Sequence, residues 1–593
     1  MDRQSESSGV KQHKRRYIQL QSAVWLLVLY CCFSLLPLRS AARSETSLGQ
    51  QWREIVETFA DEHRDQTGAA AVSLFSVGGD RYSGFFGHED HDRKKPATAE
   101  TVFEWGSITK ILVWVSVLQL EGKGKLDLDT DIRQYLPAGF LQNLSFNEPV
   151  TLRHCMNHTT GFQEISADIF LPEDEEIPPL QELMRRIQPR QVYRPDTVTA
   201  YSNWGAALAA VAVEHISGQQ FADYVHEHIF APLQMEMTAI CPHQEDNERV
   251  RMAWQRINEF AADGQPLSEP RYAVALYPAG SVASTLSDLE TFAEALLVND
   301  ERLELPRAIY AEATDDYSGV ETKRNYYGLW LLPFGQPVLG HGGNTNGQSA
   351  YLLLDPWQQQ GMVVMTNTKR EVHFTKQLPE KIFGAFREDA YFSFARTLPQ
   401  GFYHSARVVR RGPFRLTDLH YLRFEDEKKE RASFWTVAAD GRVEYPYDDL
   451  LPVSSATVWG RRGLLALWVV SGASTILQWP LMAVVSVWRR RRSRQKERQL
   501  GGRRCVWRFS GTVLVLLSGL GLWWLMRLVT AYRSYSEYRW VFAAYLAEAV
   551  ILIGHIWWGL RQRRKLSVYV QAVAEAVVVA NILYWQLYCF WLL

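Results

Sequence analysis

Ser107-Ile108-Thr109-Lys110 sets a hydroxyl and an amine three residues apart, a spacing at which two side chains share one helix face. A serine hydroxyl is a weak nucleophile until a base takes its proton, and a partly buried lysine with a lowered pKa can be that base. The tetrapeptide heads the apolar run Ile111 to Leu120, closed by Gly122. That run predicts a buried helix with a glycine stop. The helix dipole favours negative charge that develops at Ser107. The chemistry proposed by this spacing is acyl transfer by a serine hydrolase. Four residues with two free positions are a weak signal, and the plain reading is an N-cap serine with a surface lysine.

Two further motifs offer the remaining parts of such a site. Tyr201-Ser202-Asn203 lies between the extended segment Pro195 to Ala200 and the helical run Trp204 to Ile216. A tyrosinate favoured by a lysine ammonium, or a neutral lysine, can take the Ser107 proton and return it to the leaving group. Asn203 offers an amide to position a substrate carbonyl. Gly340-His341-Gly342-Gly343 stands at the edge of a predicted strand, followed by Asn344 to Gly347. Glycines let a backbone approach a ligand closely. A strand edge beside the nucleophile can supply one N–H of an oxyanion hole, with the Ser107 N–H as the other. Taken singly, these motifs read as ordinary loop packing and a turn.

The elements that position these residues are legible from patterning. Gln50 to His63 predicts a helix, and Ala69 to Ser76 and Arg81 to Gly87 predict a hairpin turning at Val77-Gly78-Gly79-Asp80. Helical patterns fill Ser107 to Leu297, with Ser287 and Glu290 as a capping box. Strands return at Tyr326 to Leu332, Gln348 to Leu354 and Met362 to Asn367, and a helix follows near Lys376 to Phe386. Strands at both ends of a helical middle predict an α+β domain whose terminal strands share one antiparallel sheet, flanked by helices and a helical subdomain.

At 593 residues the chain is too long for one ordinary core. Its net charge of -1 gives no reason to expect a nucleic acid or other polyanion as partner. A basic stretch (Lys11, Lys14, Arg15, Arg16), the apolar run Ala23 to Leu36 and the small residues Ser40-Ala41-Ala42 read as a signal peptide, residues 1–42. The hydrolase-like part is expected over 43–390. A short, charged, strand-like connector, 391–460, carries an Asp440-Gly441 turn and no evident role.

Over 461–593, four apolar runs (Gly463 to Trp488, Val506 to Met526, Trp540 to Leu560, Val568 to Leu592) each approach the ~20 residues of a membrane span. The basic loops 489–504 and 561–565 are then cytoplasmic, which leaves the chain before Gly463 outside, in agreement with the signal. Glu548, His555 and Glu575 fall within these runs, as functional groups or as interhelical hydrogen-bonding partners. Cys155 and Cys241 read as small buried residues, and no cysteine pair has zinc spacing.

Taken together, the motifs resemble those of the penicillin-recognising serine hydrolases: class C β-lactamases, DD-peptidases, and related esterases and D-amino-acid peptidases. Phe103 to Lys110 looks like their nucleophile segment. Leu120 to Asp129, Thr151 to Gly161, and Pro278-Ala279-Gly280-Ser281 with Ser284-Thr285 resemble other shared segments, over roughly residues 50 to 390. The resemblance implies Ser107 as the acylated nucleophile, Lys110 as its base or relay, and Tyr201 as the second relay member. It implies Asn203 as a substrate donor, Gly342 and Gly343 on the strand edge, and Asn344 as the second oxyanion N–H. His158 is left a structural role, and no cofactor or metal is implied. His341 stands where the family usually has a lysine. A histidine is mostly neutral near pH 7, which points away from recognising a β-lactam or D-Ala-D-Ala carboxylate by charge and toward the esterase and peptidase branches. The expected partners are a small-molecule or peptide substrate outside the membrane and the lipid bilayer. The alternative is a penicillin-binding sensor that acylates without turnover and signals through the four helices. The acidic stretch Pro172-Glu173-Asp174-Glu175-Glu176 reads as a solvated loop or as a border of the cleft.

Overall fold

The computed structural model describes residues 47–588 except 65, 91–93, 166–168, 173–174, 263, 268–270, 317–324, 386–399, 408–421, 425–435, 439, 445–446, 493–497, 531–534 and 562–565. The expected signal peptide lies outside the described residues. The chain divides into two compact units at Gln51 and Trp52. Of the first, residues 47–51 are described and begin the helix Leu48–Glu62. The second carries the fold.

An eight-stranded antiparallel sheet runs in the order Lys95–Pro96, Arg81–Asp90, Ala69–Ser76, Gln360–Thr366, Ser349–Asp355, Pro337–Asn344, Leu329–Pro333, Asn325–Tyr326. Its first long strand pairs with the last, Val72 opposite Val364, so the chain's early and late strands do share one sheet. The predicted strand Tyr326 to Leu332 is broken in two. Gly328 adopts φ +78° there, and a side chain at that position would strike the Trp114 indole. Helix Leu286–Val298 is capped by Thr285, which accepts from the Asp288 N–H, and not by the expected Ser287. The Glu290 side chain instead reaches to the sheet, where it accepts from the Ser73 hydroxyl at 2.7 Å and from the Arg81 guanidinium.

At the centre lies helix Lys110–Gly122, in which every residue from Lys110 to Leu120 is buried. A helix apolar on all sides has no solvent face and belongs in a core. The left-handed residue that ends it is Gly124, two positions after the predicted stop. Cys155 is buried and Cys241 half-buried, and both are free thiols.

The connector is a separate five-stranded antiparallel sheet, ordered Leu422–Phe424, Gly401–Ser405, Leu450–Val453, Val443–Glu444, Thr436–Val437. Its Asp440-Gly441 turn is present, with Gly441 at φ +82°. Four long helices follow: Ser455–Arg492, Arg498–Thr530, Tyr535–Arg561 and Leu566–Tyr584. The first begins eight residues before the predicted apolar run. Three are long and apolar enough to cross a bilayer, and the apolar part of the fourth, Val568–Tyr584, is shorter. Large apolar side chains such as Val469 and Trp540 face outward, as a hydrocarbon solvent requires. The protein is therefore a multi-pass membrane protein with a large extramembrane domain.

The expected intramembrane groups separate into two kinds. His555 Nδ1 meets Glu575 at 2.9 Å, and Nε2 meets the Ser510 hydroxyl at 3.0 Å. Gln571 donates to Glu575 at 2.9 Å, and Gln478 donates to Gln571 at 3.1 Å. This network ties all four helices together. Glu548 stands outside it, with Oε1 buried and without a hydrogen-bond partner among the described residues.

Candidate active site

Ser107 lies in a 3-10 turn, Gly106–Thr109, and the α-helix starts only at Lys110. With three residues per turn, positions i and i+3 eclipse, and Lys110 Nζ reaches Ser107 Oγ at 3.0 Å. Gly106 makes the turn possible: it has φ +53°, and a Cβ there would sit 2.6 Å from the Asn344 nitrogen. The Trp105 N–H donates to Val282 at 2.8 Å and its indole to Ser284 at 2.7 Å, which fixes the chain just before the serine.

Lys110 is completely buried. Its ammonium position also donates to the Ala279 carbonyl at 2.6 Å, which gives the Pro278-Ala279-Gly280-Ser281 segment a physical task. Desolvation drives the Lys110 pKa well below that of a free lysine; the Arg407 cation lowers it further and Glu164 opposes. Burial of this kind weakens an amine's hold on its proton and favours the neutral, basic form.

Tyr201 precedes helix Asn203–Ser217, whose N-cap Ser202 accepts from the Gly205 N–H. The tyrosine ring centroid is 4.9 Å from Lys110 Nζ. Its hydroxyl is buried without a hydrogen-bond partner among the described residues, though close enough to Ser107 for that hydroxyl to ease its ionisation. Burial dominates and raises the Tyr201 pKa, with Ser107 and Arg407 opposing and Glu164 reinforcing. Of the two base forms open at the sequence level, the surroundings favour neutral lysine with neutral tyrosine. Behind Tyr201 stands His158, fully buried at φ +58°, with its ring 4.3 Å away and Nδ1 accepting the Ser202 N–H at 3.3 Å.

His341 sits in strand Pro337–Asn344 with no exposed surface. Its Nδ1 lies 2.7 Å from the Gly342 carbonyl. A carbonyl only accepts, so Nδ1 carries the hydrogen and Nε2 is a bare acceptor. Nε2 has no partner among the described residues. Desolvation, with help from the Lys110 charge, depresses the His341 pKa to about 3, against the Gly342 bond. The ring lies 6.1 Å from Tyr201 and 4.3 Å from Trp330.

Gly343 is sterically required. A Cβ there would run into the Trp105 carbonyl and come within 3.1 Å of the Ser107 nitrogen. The strand edge thus packs directly against the turn that carries Ser107. Gly342 is less constrained, since its Cβ would meet only the Tyr351 ring, at 3.3 Å. Asn344 is exposed, and its Oδ1 accepts from Ser349 at 2.9 Å. Asn203 is half-buried in the first turn of its helix. Glu175 and Glu176 are exposed, while 173–174 lie outside the described residues.

Ser107, Lys110, Tyr201 and His341 are thus brought together. Sequence patterning missed three neighbours. Glu164 is buried. Tyr447 lies 5.0 Å from Trp330. The Arg407 guanidinium lies 4.9 Å from the Tyr201 ring centroid. The last two belong to the connector. None lies in a catalytic motif, and the one local clue is the aromatic and acidic cluster Tyr445-Pro446-Tyr447-Asp448-Asp449 in an otherwise charged segment.

The family model named Beta-lactamase matches residues 52–385. Penicillin-binding protein 4 of Amycolatopsis lactamdurans is 27% identical over 350 residues, covering 56% of this chain and 89% of that protein. Penicillin-binding protein 4* of Bacillus subtilis (strain 168) is 25% identical, over 55% of this chain and 73% of that protein. Among solved structures, a D-amino acid amidase from Ochrobactrum anthropi SV3 aligns with a TM-score of 0.45 at 22% identity, over 56% of this chain and 97% of that one. A family model that spans more than half the chain, laid over the site just described, settles membership: the chain belongs to the β-lactamase family, whose members are serine-hydrolase-type enzymes.

Proposed function

We propose that this protein is a membrane-anchored, extracytoplasmic serine hydrolase that works through an acyl-enzyme on a peptide, amide or ester. The observation that carries the reading is the 3.0 Å contact between Ser107 Oγ and the buried Lys110 Nζ. With the lysine neutral, this contact reverses its polarity, and the serine hydroxyl donates to the amine lone pair. Proton transfer to Nζ frees Oγ to attack the substrate carbonyl carbon. The resulting oxyanion is held by the Ser107 and Asn344 N–H groups. The proton passes from Nζ, by way of the Tyr201 hydroxyl, to the leaving amine or alcohol as the carbonyl bond to it breaks. Water then attacks the Ser107 ester carbonyl and gives a proton to the same Tyr201 and Lys110 path, and that proton returns to Ser107 Oγ as the ester C–O bond breaks and the acid is released. Asn203 donates to a substrate carbonyl, and neutral His341 accepts from a substrate N–H or O–H.

The domain division is proposed as signal 1–42, hydrolase 43–390, connector 391–460 and membrane helices 461–593. The basic loops 489–504 and 561–565 face the cytoplasm, which sets the cleft outside. Because His341 carries no charge to hold a carboxylate, we assign the enzyme to the esterase and D-amino-acid peptidase side of the family.

The test is turnover of the full-length protein in detergent on a panel of D-amino-acid amides, D-residue peptides, esters and a fluorescent penicillin, with Ser107→Ala alongside. Turnover that vanishes in Ser107→Ala, with an adduct mass on Ser107 in the parent, is the expected result. Stable acylation without turnover of any substrate would replace the hydrolase with the sensor. Undiminished turnover by Ser107→Ala would overturn both.

A further inference from the structure

One wall of the cleft is built by the connector sheet. The Tyr201 N–H donates to the Tyr447 carbonyl at 2.9 Å, and Ala200 and Asp448 pair as an antiparallel bridge. The Asp449 N–H donates to the Thr199 carbonyl at 2.8 Å, and the Thr199 N–H returns to the Asp449 carboxylate at 3.0 Å. Arg442 reaches the Thr197 carbonyl. The segment that delivers Tyr201 therefore has its backbone hydrogen bonds completed by another domain.

Arg407 enters from the same sheet. Its backbone N–H donates to Asp448 Oδ1 at 2.9 Å and to Ser405 Oγ at 3.0 Å. Its Nε and Nη2 both bond Glu164 Oε2 at 2.8 Å. So anchored at two points, the guanidinium lies 4.9 Å from the Tyr201 ring centroid, the same distance as Lys110 Nζ. The Tyr201 hydroxyl has no hydrogen-bond partner among the described residues, so contacts to the ring bear on where it points. Those contacts are His158, Trp330, His341, Lys110 and Arg407.

We propose that Arg407 is a positioning residue of the active site: clamped by Glu164 and Asp448, its guanidinium holds the Tyr201 ring against Ser107 and Lys110, so that the cleft is complete only with the connector sheet in place. This rests on the assignment of Ser107 and Lys110 above. Arg407 acts through Tyr201 and Lys110. A planar cation against an aromatic face is both a steric stop and an electrostatic contact.

The same placement sets the signs of a test. Lys110 feels Arg407, which disfavours its ammonium, and Glu164, which favours it. Tyr201 feels the same two charges and the Ser107 hydroxyl. The buried histidines behind them, His158 and His341, both have lowered pKa values and remain neutral near pH 7. Asp448, which accepts from the Arg407 backbone N–H, contributes to the field at the guanidinium. Removing the arginine charge lets Lys110 hold its proton to higher pH, and removing the Glu164 charge does the reverse.

The experiment is the rate at which a fluorophosphonate probe labels Ser107 of the full-length protein, measured from pH 5 to pH 10. Arg407→Gln is expected to label about tenfold more slowly at pH 7, with its acidic limb moved up by about one pH unit. Glu164→Gln is expected to move the limb in the opposite direction. Arg407→Lys, which keeps charge but not planarity, should keep the limb and recover part of the rate. Thermal unfolding of each variant separates loss of fold from loss of positioning. Opposite limb shifts in folded variants support the proposal. Limbs that stay in place while Ser107→Ala is unlabelled would overturn it and leave the nucleophile assignment standing. Labelling of Ser107→Ala at the parent rate would overturn that assignment and this proposal with it.

Discussion

The cluster around Lys110 in the cleft and the His555–Glu575 cluster of the membrane bundle both bury polar groups, and these two clusters treat them in opposite ways. In the bundle, His555, Glu575, Gln571, Gln478 and Ser510 form a network across four helices. In the cleft, the Tyr201 hydroxyl and His341 Nε2 are buried with no partner among the described residues. An unmet buried polar group costs about 1–3 kcal/mol. Folding alone gives no reason to keep two of them beside a buried lysine, whereas a substrate that completes them does. A paired network inside a bilayer costs little and fixes how helices pack. The contrast assigns chemistry to the cleft and architecture to the His555–Glu575 cluster.

The largest expected effect that would break this contrast is at Lys110. Lys110→Met removes the base and fills its space with an apolar chain. Labelling of Ser107 should fall by at least about 10³-fold. Unfolding free energy should be unchanged or higher by up to about 2 kcal/mol, since replacing a buried ionisable group by an apolar one of similar volume is often stabilising. A fall in stability without loss of labelling would make Lys110 a structural group. Next is Gly343→Ala, which drives a methyl into the Trp105 carbonyl and toward the Ser107 nitrogen. A loss of about 10²-fold in kcat is expected from displacement of the oxyanion amides, together with about 1–3 kcal/mol of stability from overpacking.

A smaller effect sharpens the electrostatic side. The folded-state pKa of His341 is depressed to about 3, while an unfolded histidine titrates near 6.5. Between these values the unfolded chain binds a proton that the native chain refuses. Stability is therefore full above pH 6.5 and falls as pH drops toward 3, by about 1.4 kcal/mol per unit for each such histidine. His158 behaves in the same sense. His341→Gln should flatten the decline measured by urea unfolding from pH 7 to 4, and an unchanged slope would show that His341 is not buried in its neutral form. The smallest effect lies in the bundle. Glu575→Gln should lower stability by about 1 kcal/mol and change labelling of Ser107 by less than about twofold. A large change in labelling from this substitution would erase the distinction between the two regions.

What the sequence made legible follows from the range of the physics. Ser107, Lys110, Tyr201 and His341, which the structure brings together, stand out in the sequence because acyl-transfer chemistry would demand particular residue types at short spacings. The shared antiparallel sheet was found because alternation and glycine turns are local signals. Helix capping was legible in kind and misplaced by two residues, because Ser287 and Thr285 offer the same hydroxyl chemistry and only the backbone angle at Thr285 decides between them. The break at Gly328 was missed because the apolar run continues straight through a two-residue turn in which Tyr327 and Gly328 both take positive φ. Arg407 and Tyr447 were missed for a different reason. They enter the cleft through pairing of residues 447–449 with 199–201, a match between two short irregular segments that no period reveals. The connector that looked least informative turns out to line the cleft.

The most direct test is the pH dependence of Ser107 labelling in the unmodified protein. A neutral Lys110 requires the rate to rise with an acidic limb well below the ~10.4 of a free lysine and to be flat above that limb, with the limb abolished in Lys110→Met. A rate that climbs steadily through pH 10, with the same profile in Lys110→Met, would contradict the assignment of the buried lysine as the base for Ser107.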